Sequence, residues 1–181
     1  HQANDFFRAT GAHTVLQYKE VNESLLRTRN SGGFQLLGLA DFPGQGSAFV
    51  GILDAFWESK GLVTPEKFRE SCAPTVLLAR LPKRTFRNRE KLKAKMEIYH
   101  FGKDALNSRK LNWTLTGEDG TVYHKGNLKT KSIQPATVDS LGIIELPLNG
   151  MDSARKLTLK AELGGIHNEW DVWVYPEQPK T

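Results

Sequence analysis

Between Gly33 and Gly46 the chain reads Gly-Phe-Gln-Leu-Leu-Gly-Leu-Ala-Asp-Phe-Pro-Gly-Gln-Gly, a nearly unbroken apolar run that stops at a carboxylate, Asp41, and a glycine-rich turn. A strand that is apolar at consecutive positions must be covered on both faces, which is the habit of parallel sheets in α/β proteins and not of half-solvated antiparallel ones. The run therefore predicts a buried strand over 34–40 that delivers Asp41 to the carboxyl end of a sheet, where such folds gather their functional groups. No second strand of this kind is found. The expectation is that the first part of the sequence is the tail of a larger α/β unit whose earlier strands lie upstream. The opening His1-Gln2-Ala3-Asn4, with no initiator Met and no signal peptide, is read the same way.

Ahead of the run, residues 12–29 carry a helical pattern, with Ala12, Val15, Leu16, Leu25 and Leu26 near one face and no Pro or Gly inside. Asn30-Ser31-Gly32-Gly33 ends it. Helix, glycine turn, buried strand and loop together make the αβ half of a repeating βα unit. The segment from Ser47 to Trp57 is apolar and short, so periodicity leaves a strand and a buried helix equally open. Thr64-Pro65-Glu66 places a hydroxyl cap, a first-turn proline and an early acid ahead of Lys67 to Cys72, which predicts the start of a short helix.

From Pro74 the pattern changes to short, mostly alternating strands separated by turn residues, so a domain boundary is expected near Ala73, dividing the chain into 1–73 and 74–181. Strands are predicted over 75–80, 91–101, 110–116, 121–131, 142–147, 156–163 and 171–175, a number that suits an all-β immunoglobulin-like sandwich with Trp113 packed between its sheets. Glu118-Asp119-Gly120 reads as a hairpin turn and Leu163-Gly164-Gly165 as another break. No internal repeat is visible, which argues against a solenoid or propeller.

The formal net charge of +5 is concentrated in Lys83, Arg84, Arg87, Arg89, Lys91, Lys93 and Lys95. Nucleic acid is not the expected partner, because Leu92, Ala94, Met96 and Ile98 alternate with Lys91, Lys93, Lys95 and Glu97, as on a strand with one solvated face, and no aromatic stacking platform accompanies the charge. No run approaches the roughly 18 apolar residues that span a membrane. The single Cys72 excludes an internal disulfide framework. His100, His124 and His167 lack the paired spacing of a metal site and are expected at the surface or in turns, so neither a metal nor another cofactor is predicted. Asn22-Glu23-Ser24 and Asn112-Trp113-Thr114 match the glycosylation sequon, a pattern common by chance, in a predicted helix and strand. Gly44-Gln45-Gly46-Ser47 is neither a nucleophile elbow nor a phosphate loop.

Tyr18-Lys19-Glu20, Leu26-Arg27-Thr28, the run from Gly33 to Gly46 and Ser59-Lys60-Gly61 together resemble the end of the barrel in glycoside hydrolase family 2 proteins, and Asn168-Glu169-Trp170-Asp171-Val172-Trp173-Val174-Tyr175-Pro176 resembles the last strand of the sandwich that follows such barrels. The likeness is closest to the sugar-binding branch of that family and further from its β-galactosidases. It implies an α/β barrel remnant, the C-terminal part of a (β/α)8 barrel over 1–73, followed by an immunoglobulin-like sandwich over 74–181. It further implies a retaining β-glycosidase whose two carboxylates, about 5 Å apart, both lie upstream, so that no catalytic residue is expected in this chain. The implied partners are an oligo- or polysaccharide and the upstream barrel portion, in the periplasm or outside the cell.

Three residues are candidates for substrate contact. Asp41 either orients sugar hydroxyls or caps the Pro43-Gly44 turn; Gln45 either donates to the same sugar or serves the turn; Trp57 either stacks on a pyranose or belongs to the core. Apolar faces at 34–40 left without neighbours would also favour self-association. Beside the glycosidase reading stands a second class, a non-catalytic carbohydrate-binding or structural interaction module, favoured by the absence of a credible acid pair.

Overall fold

The computed structural model describes residues 2–44, 50–107 and 109–177. The chain separates into two compact units, His1–Cys72 and Ala73–Thr181. The first holds a long helix, α1 (Ala3–Leu26), and a single turn of helix, α2 (Pro65–Arg69). Helix α1 begins well before Ala12 because Gly11 does not break it. A side chain at Gly11 would lie 2.3 Å from Leu62 Cδ2, so the glycine is where the helix admits Leu62. The stripe that is buried runs through Gly11, Asn22, Glu23 and Leu26, while Leu16 and Leu25 face solvent, so the apolar face expected from the pattern is only partly the inner one. At α2 the reading of the cap is realised directly: the Thr64 hydroxyl accepts from the Lys67 amide at 3.2 Å, with Pro65 in the first turn.

The α/β barrel remnant is corrected by this structure. Residues 34–40 form no strand and alternate between half-buried and exposed, with Leu37 fully exposed. The segment's regular pairing is one parallel bridge, Ala40 with Leu53, closed by Asp41 N–H to Leu53 O and Leu53 N–H to Leu39 O, both at 3.0 Å. A strand persists only when a ladder of neighbours satisfies its backbone, and a single bridge cannot extend one. Among the described residues both sheets lie in the second unit, and no ring of helices surrounds a parallel sheet. The apolar run is a loop whose side chains alternate between half-buried and exposed, not a strand covered on both faces.

The second unit is a two-sheet β-sandwich. Its strands are β1 (Thr75–Arg80), β2 (Thr85–Arg87), β3 (Lys91–His100), β4 (Lys110–Gly117), β5 (Val122–Lys129), β6 (Thr137–Pro147), β7 (Arg155–Leu163) and β8 (Ile166–Tyr175). One sheet runs in the order β1-β3-β6 and the other β2-β8-β7-β4-β5, so the chain crosses between sheets after β1, β2, β3, β5 and β6. All pairings are antiparallel except β2 with β8. The alternation in β3 is realised from Lys91 to Met96: Leu92, Ala94 and Met96 are buried with the core residues of both sheets. It changes at a bulge between Met96 and Glu97. There Glu97 is buried, paired with Arg80 at 2.6 Å and Lys95 at 2.9 Å, so the predicted solvated position is instead a neutralised inner carboxylate.

The centre of the sandwich is Trp170 of β8, packed with Leu77, Leu111, Leu115, Leu157 and Val172. Trp113 stands at the margin of this cluster, half-buried and opposite Gly126 in register, without a partner for its indole N–H. Burying Trp170 and its apolar neighbours supplies the main stabilisation, at about 1.5–3 kcal/mol for each large side chain. Asn168 joins the two sheets: its buried amide donates to Leu77 O in β1 at 2.7 Å and its side-chain oxygen accepts from Glu169 N–H.

Candidate functional site

In the first unit the backbone around Ala40 and Leu53 fixes Asp41. Its Oδ1 accepts from Gly51 N–H at 2.9 Å and from Lys60 Nζ at 2.7 Å. Lys60 also donates to Gly51 O at 2.9 Å. Both charged side chains are almost wholly buried, at 7% and 10% exposure. A carboxylate removed from water is tolerable when paired and hydrogen-bonded, and Asp41 meets both conditions through one oxygen. Gly51 is required here because a Cβ would lie 2.3 Å from the Ala40 carbonyl carbon. Tyr18 of α1 holds the same loop, donating its hydroxyl to Val50 O at 2.8 Å.

Beyond Leu53 the chain turns sharply. Asp54 Oδ1 accepts from the amides of Phe56 and Glu58, at 2.8 and 2.9 Å, and Asp54 N–H donates to Glu58 O. This side-chain-to-backbone turn leaves Trp57 with a φ of +67°. Asn, Asp and Gly adopt that conformation readily, whereas a bulky L-residue pays on the order of 1 kcal/mol or more for it. The turn also places Trp57 at 68% exposure and Phe56 at 84%. Trp57 thus carries both strain and a solvated indole.

These loops enclose a cleft of about 620 Å³ whose lining includes Leu37, Leu39, Asp41, Phe42, Val50 and Trp57. Its walls are mostly apolar, and Asp41 is the only carboxylate among the described residues that line it. The size and the single polar anchor fit a small-molecule site. Asp41 Oδ1 is committed to the loop, so capping is part of its role; Oδ2 has no protein partner among the described residues. Trp57 is not core, contrary to the alternative weighed for it. The structure brings Asp41 and Trp57 to one cleft, while Gln45 lies outside the described residues.

The remaining candidates fall elsewhere. His100 is buried, not at the surface. Its ring bonds the Thr75 hydroxyl through Nδ1 at 2.8 Å and the Asp104 carbonyl through Nε2 at 2.9 Å. Because a carbonyl only accepts, Nε2 carries the proton and the ring is a strut between β1, β3 and the following loop. His124 bonds Pro147 O, again through Nε2. Among the described residues no group of three or more His, Cys, Asp or Glu side chains is arranged to hold a metal ion. Burial pushes the Cys72 thiol above its ordinary value, which disfavours the reactive thiolate. Asn22 is fully buried, so its sequon is closed to modification, whereas Asn112 is exposed on β4. No helix among the described residues is long and apolar enough to cross a membrane.

Sequence reasoning did not find Lys60 as the partner of Asp41. The two are 19 positions apart in an irregular segment, and no periodicity connects them. The left-handed backbone at Trp57 was equally hidden, because Asp54 creates it through main-chain hydrogen bonds.

Residues 90–176, a little under half of the chain, match a family model described as a domain of unknown function, DUF8488. No curated protein sequence matches. Among solved structures, the chain is similar to a CARDB domain from Pyrococcus furiosus, crystallised with di-metal ions, at 12% identity and a TM-score of 0.41 over 57% of this chain and 94% of that one. It is also similar to the sporulation control protein Spo0M of Bacillus subtilis, at 17% identity and 0.40 over 59% and 50% of the two chains. A third is a β-glucosidase from Erythrobacter marinus, at 9% identity and 0.42 over 55% and 15%.

Proposed function

We propose that the first unit binds a saccharide in the cleft between Asp41 and Trp57, and that this chain is a non-catalytic carbohydrate-binding part of a protein that acts on glycosides in the periplasm or outside the cell. The observation that carries the reading is Trp57, an exposed indole at the cleft held in a left-handed backbone. A solvated Trp contributes little to stability, and its backbone detracts from it; strain of this kind persists where a site needs the side chain placed. An exposed indole face suits the apolar face of a pyranose, and a carboxylate oxygen such as Asp41 Oδ2 accepts from sugar hydroxyls with charge-assisted strength.

Binding is favoured over hydrolysis within this cleft by its acid count. Retaining hydrolysis uses two carboxylates about 5 Å apart, and the described lining offers Asp41 alone, with one oxygen engaged by Lys60. If the parent protein cleaves glycosidic bonds, the acids that do so are contributed from outside this cleft. A glycan array probed with the wild-type chain and with Trp57→Ala tests the reading. The expected result is retention of at least one glycan class by the wild type and at least tenfold weaker retention by the variant, a loss of about 1.4 kcal/mol or more. Absence of binding to any glycan, or equal binding by both proteins, would refute it.

A further inference from the structure

We propose that the outer face of the five-stranded sheet is a separate saccharide site, an open platform for an extended polysaccharide chain. The inference stands on the sandwich alone, whether or not the cleft at Trp57 takes a sugar. Strand β8 alternates strictly: Trp170, Val172 and Val174 are sealed in the core, so Asp171, Trp173 and Tyr175 share the opposite face. Trp173 and Tyr175 are 38% and 41% exposed, and residues two apart on a strand stand about 7 Å from one another. Register makes their surroundings continuous. Thr85 of β2 and Lys156 of β7 lie on either side of Trp173, Thr158 of β7 lies beside Asp171, and Arg87 of β2 lies beside Tyr175. Tyr175 and Arg87 also line a hollow of about 400 Å³ with Lys83 and Glu90. The basic segment from Lys83 to Arg89 has no exposed aromatic residue of its own, and the pairing of β2 with β8 provides two.

Two aromatic side chains on a sheet suit a ligand made of successive rings, either the bases of a single-stranded nucleic acid or the pyranoses of a glycan. The state of the charges decides between them. A nucleic acid draws its affinity from cations that neutralise phosphates. Here Lys156 is paired with Asp171 at 2.9 Å, Arg89 with Glu177 at 2.7 Å and Lys83 with Glu90, while Arg87 donates to Pro176 O. An ammonium beside a carboxylate is instead matched to a hydroxyl, which accepts from the first and donates to the second. A sheet face is also open, so a mono- or disaccharide would cover little of it. A chain that passes over both rings uses the indole, the phenol and the paired charges between β2 and β7 together.

The test is co-sedimentation of the whole chain with insoluble cellulose, chitin and xylan, and titration with oligo(dT). The short glycans of an array cover little of this face, so the two tests read different sites. The proteins are wild type, Trp173→Ala, Tyr175→Ala, the two combined, Trp173→Phe and Trp57→Ala, each checked for its fold by far-ultraviolet circular dichroism. The expected result is retention of the wild type on at least one polysaccharide, at least tenfold weaker in each alanine variant of β8 and abolished in the combined one. Trp173→Phe keeps a ring and should stay near the wild type, and Trp57→Ala should be retained. Retention lost in Trp57→Ala but undiminished in the combined variant would overturn the inference and leave the cleft reading standing. No retention of the wild type on any of the three would also overturn it. Binding of oligo(dT) that the combined variant loses would overturn it as well and assign the face to nucleic acid.

Discussion

The two units treat their apolar side chains in opposite ways. In the sandwich, Trp170, Phe86, Leu77, Leu92 and Leu157 are sealed from solvent. In the first unit, Leu37, Phe42, Phe56 and Trp57 are largely exposed, and the fully buried side chains include Asn22 and Glu23 of α1. Glu23 is neutralised there by Lys19 at 2.7 Å and Arg27 at 3.2 Å. A fold that hides polar groups and shows aromatic ones at the mouth of a cleft is organised around contact with something else, since scattered exposed apolar residues need no explanation but a contiguous group does. The sandwich is where most of the apolar burial lies, and the first unit is where the ligand proposed for the cleft would be met.

Substitutions should separate these roles. The largest effect is expected for Trp170→Ala, which leaves a cavity among core residues of both sheets and should cost about 3–5 kcal/mol. Chemical denaturation followed by far-ultraviolet circular dichroism checks it, and a loss below about 1 kcal/mol would show that the sandwich core is organised differently. Lys60→Ala strands Asp41 as a buried unpaired charge. Local opening at the Asp41 and Gly51 amides, measured by hydrogen exchange, should become easier by roughly 3 kcal/mol, while the sandwich amides keep their protection. Asn168→Ala removes the donor to Leu77 O and should cost about 1–3 kcal/mol, confined to the sandwich.

Acid should act on the sandwich through a smaller effect. Glu162 is held below the ordinary carboxylate range chiefly by the Gly165 backbone amide, which lies 2.8 Å from its Oε1. A depressed folded-state pKa means that the stabilisation is present above the unfolded value and is lost as pH falls through the folded one. The denaturation midpoint of the wild type should therefore decline on going from about pH 6 to about pH 3, and that of Glu162→Gln should decline less steeply. Parallel curves would show that the Gly164-Gly165 turn is held by other contacts.

Much of the sandwich was legible because its local and tertiary demands agree. The alternation of Lys91 to Met96 and the apolar pattern of Thr75 to Arg80 mark β3 and β1 with little ambiguity. What was hidden depends on groups brought together from a distance. Strand β2 is three residues long and exists through its parallel pairing with β8, and no local signal marks Phe86 as core. Glu97 broke the alternation because Arg80, from another strand, made its burial tolerable. The run from Phe34 to Ala40 differs from its pattern because apolar composition describes a side chain's preference for burial, whereas a strand requires a ladder of backbone partners, and this run has one bridge. Asp41 and Trp57 were visible as residue types that suit sugars. Their geometry was not, since Lys60 fixes the first and Asp54 the second through contacts that spacing does not encode.

Trp57 is placed at a cost to the fold, and Trp57→Gly measures that cost without requiring a ligand. Glycine relieves the left-handed backbone and removes an indole that is already in water. Amide exchange at Asp41 and Leu53 should report an opening free energy for the first unit that is unchanged or higher by up to about 1 kcal/mol. A decrease of more than about 1 kcal/mol would show that Trp57 holds the loops together, and the indole would then be part of the fold and not a surface kept for a ligand.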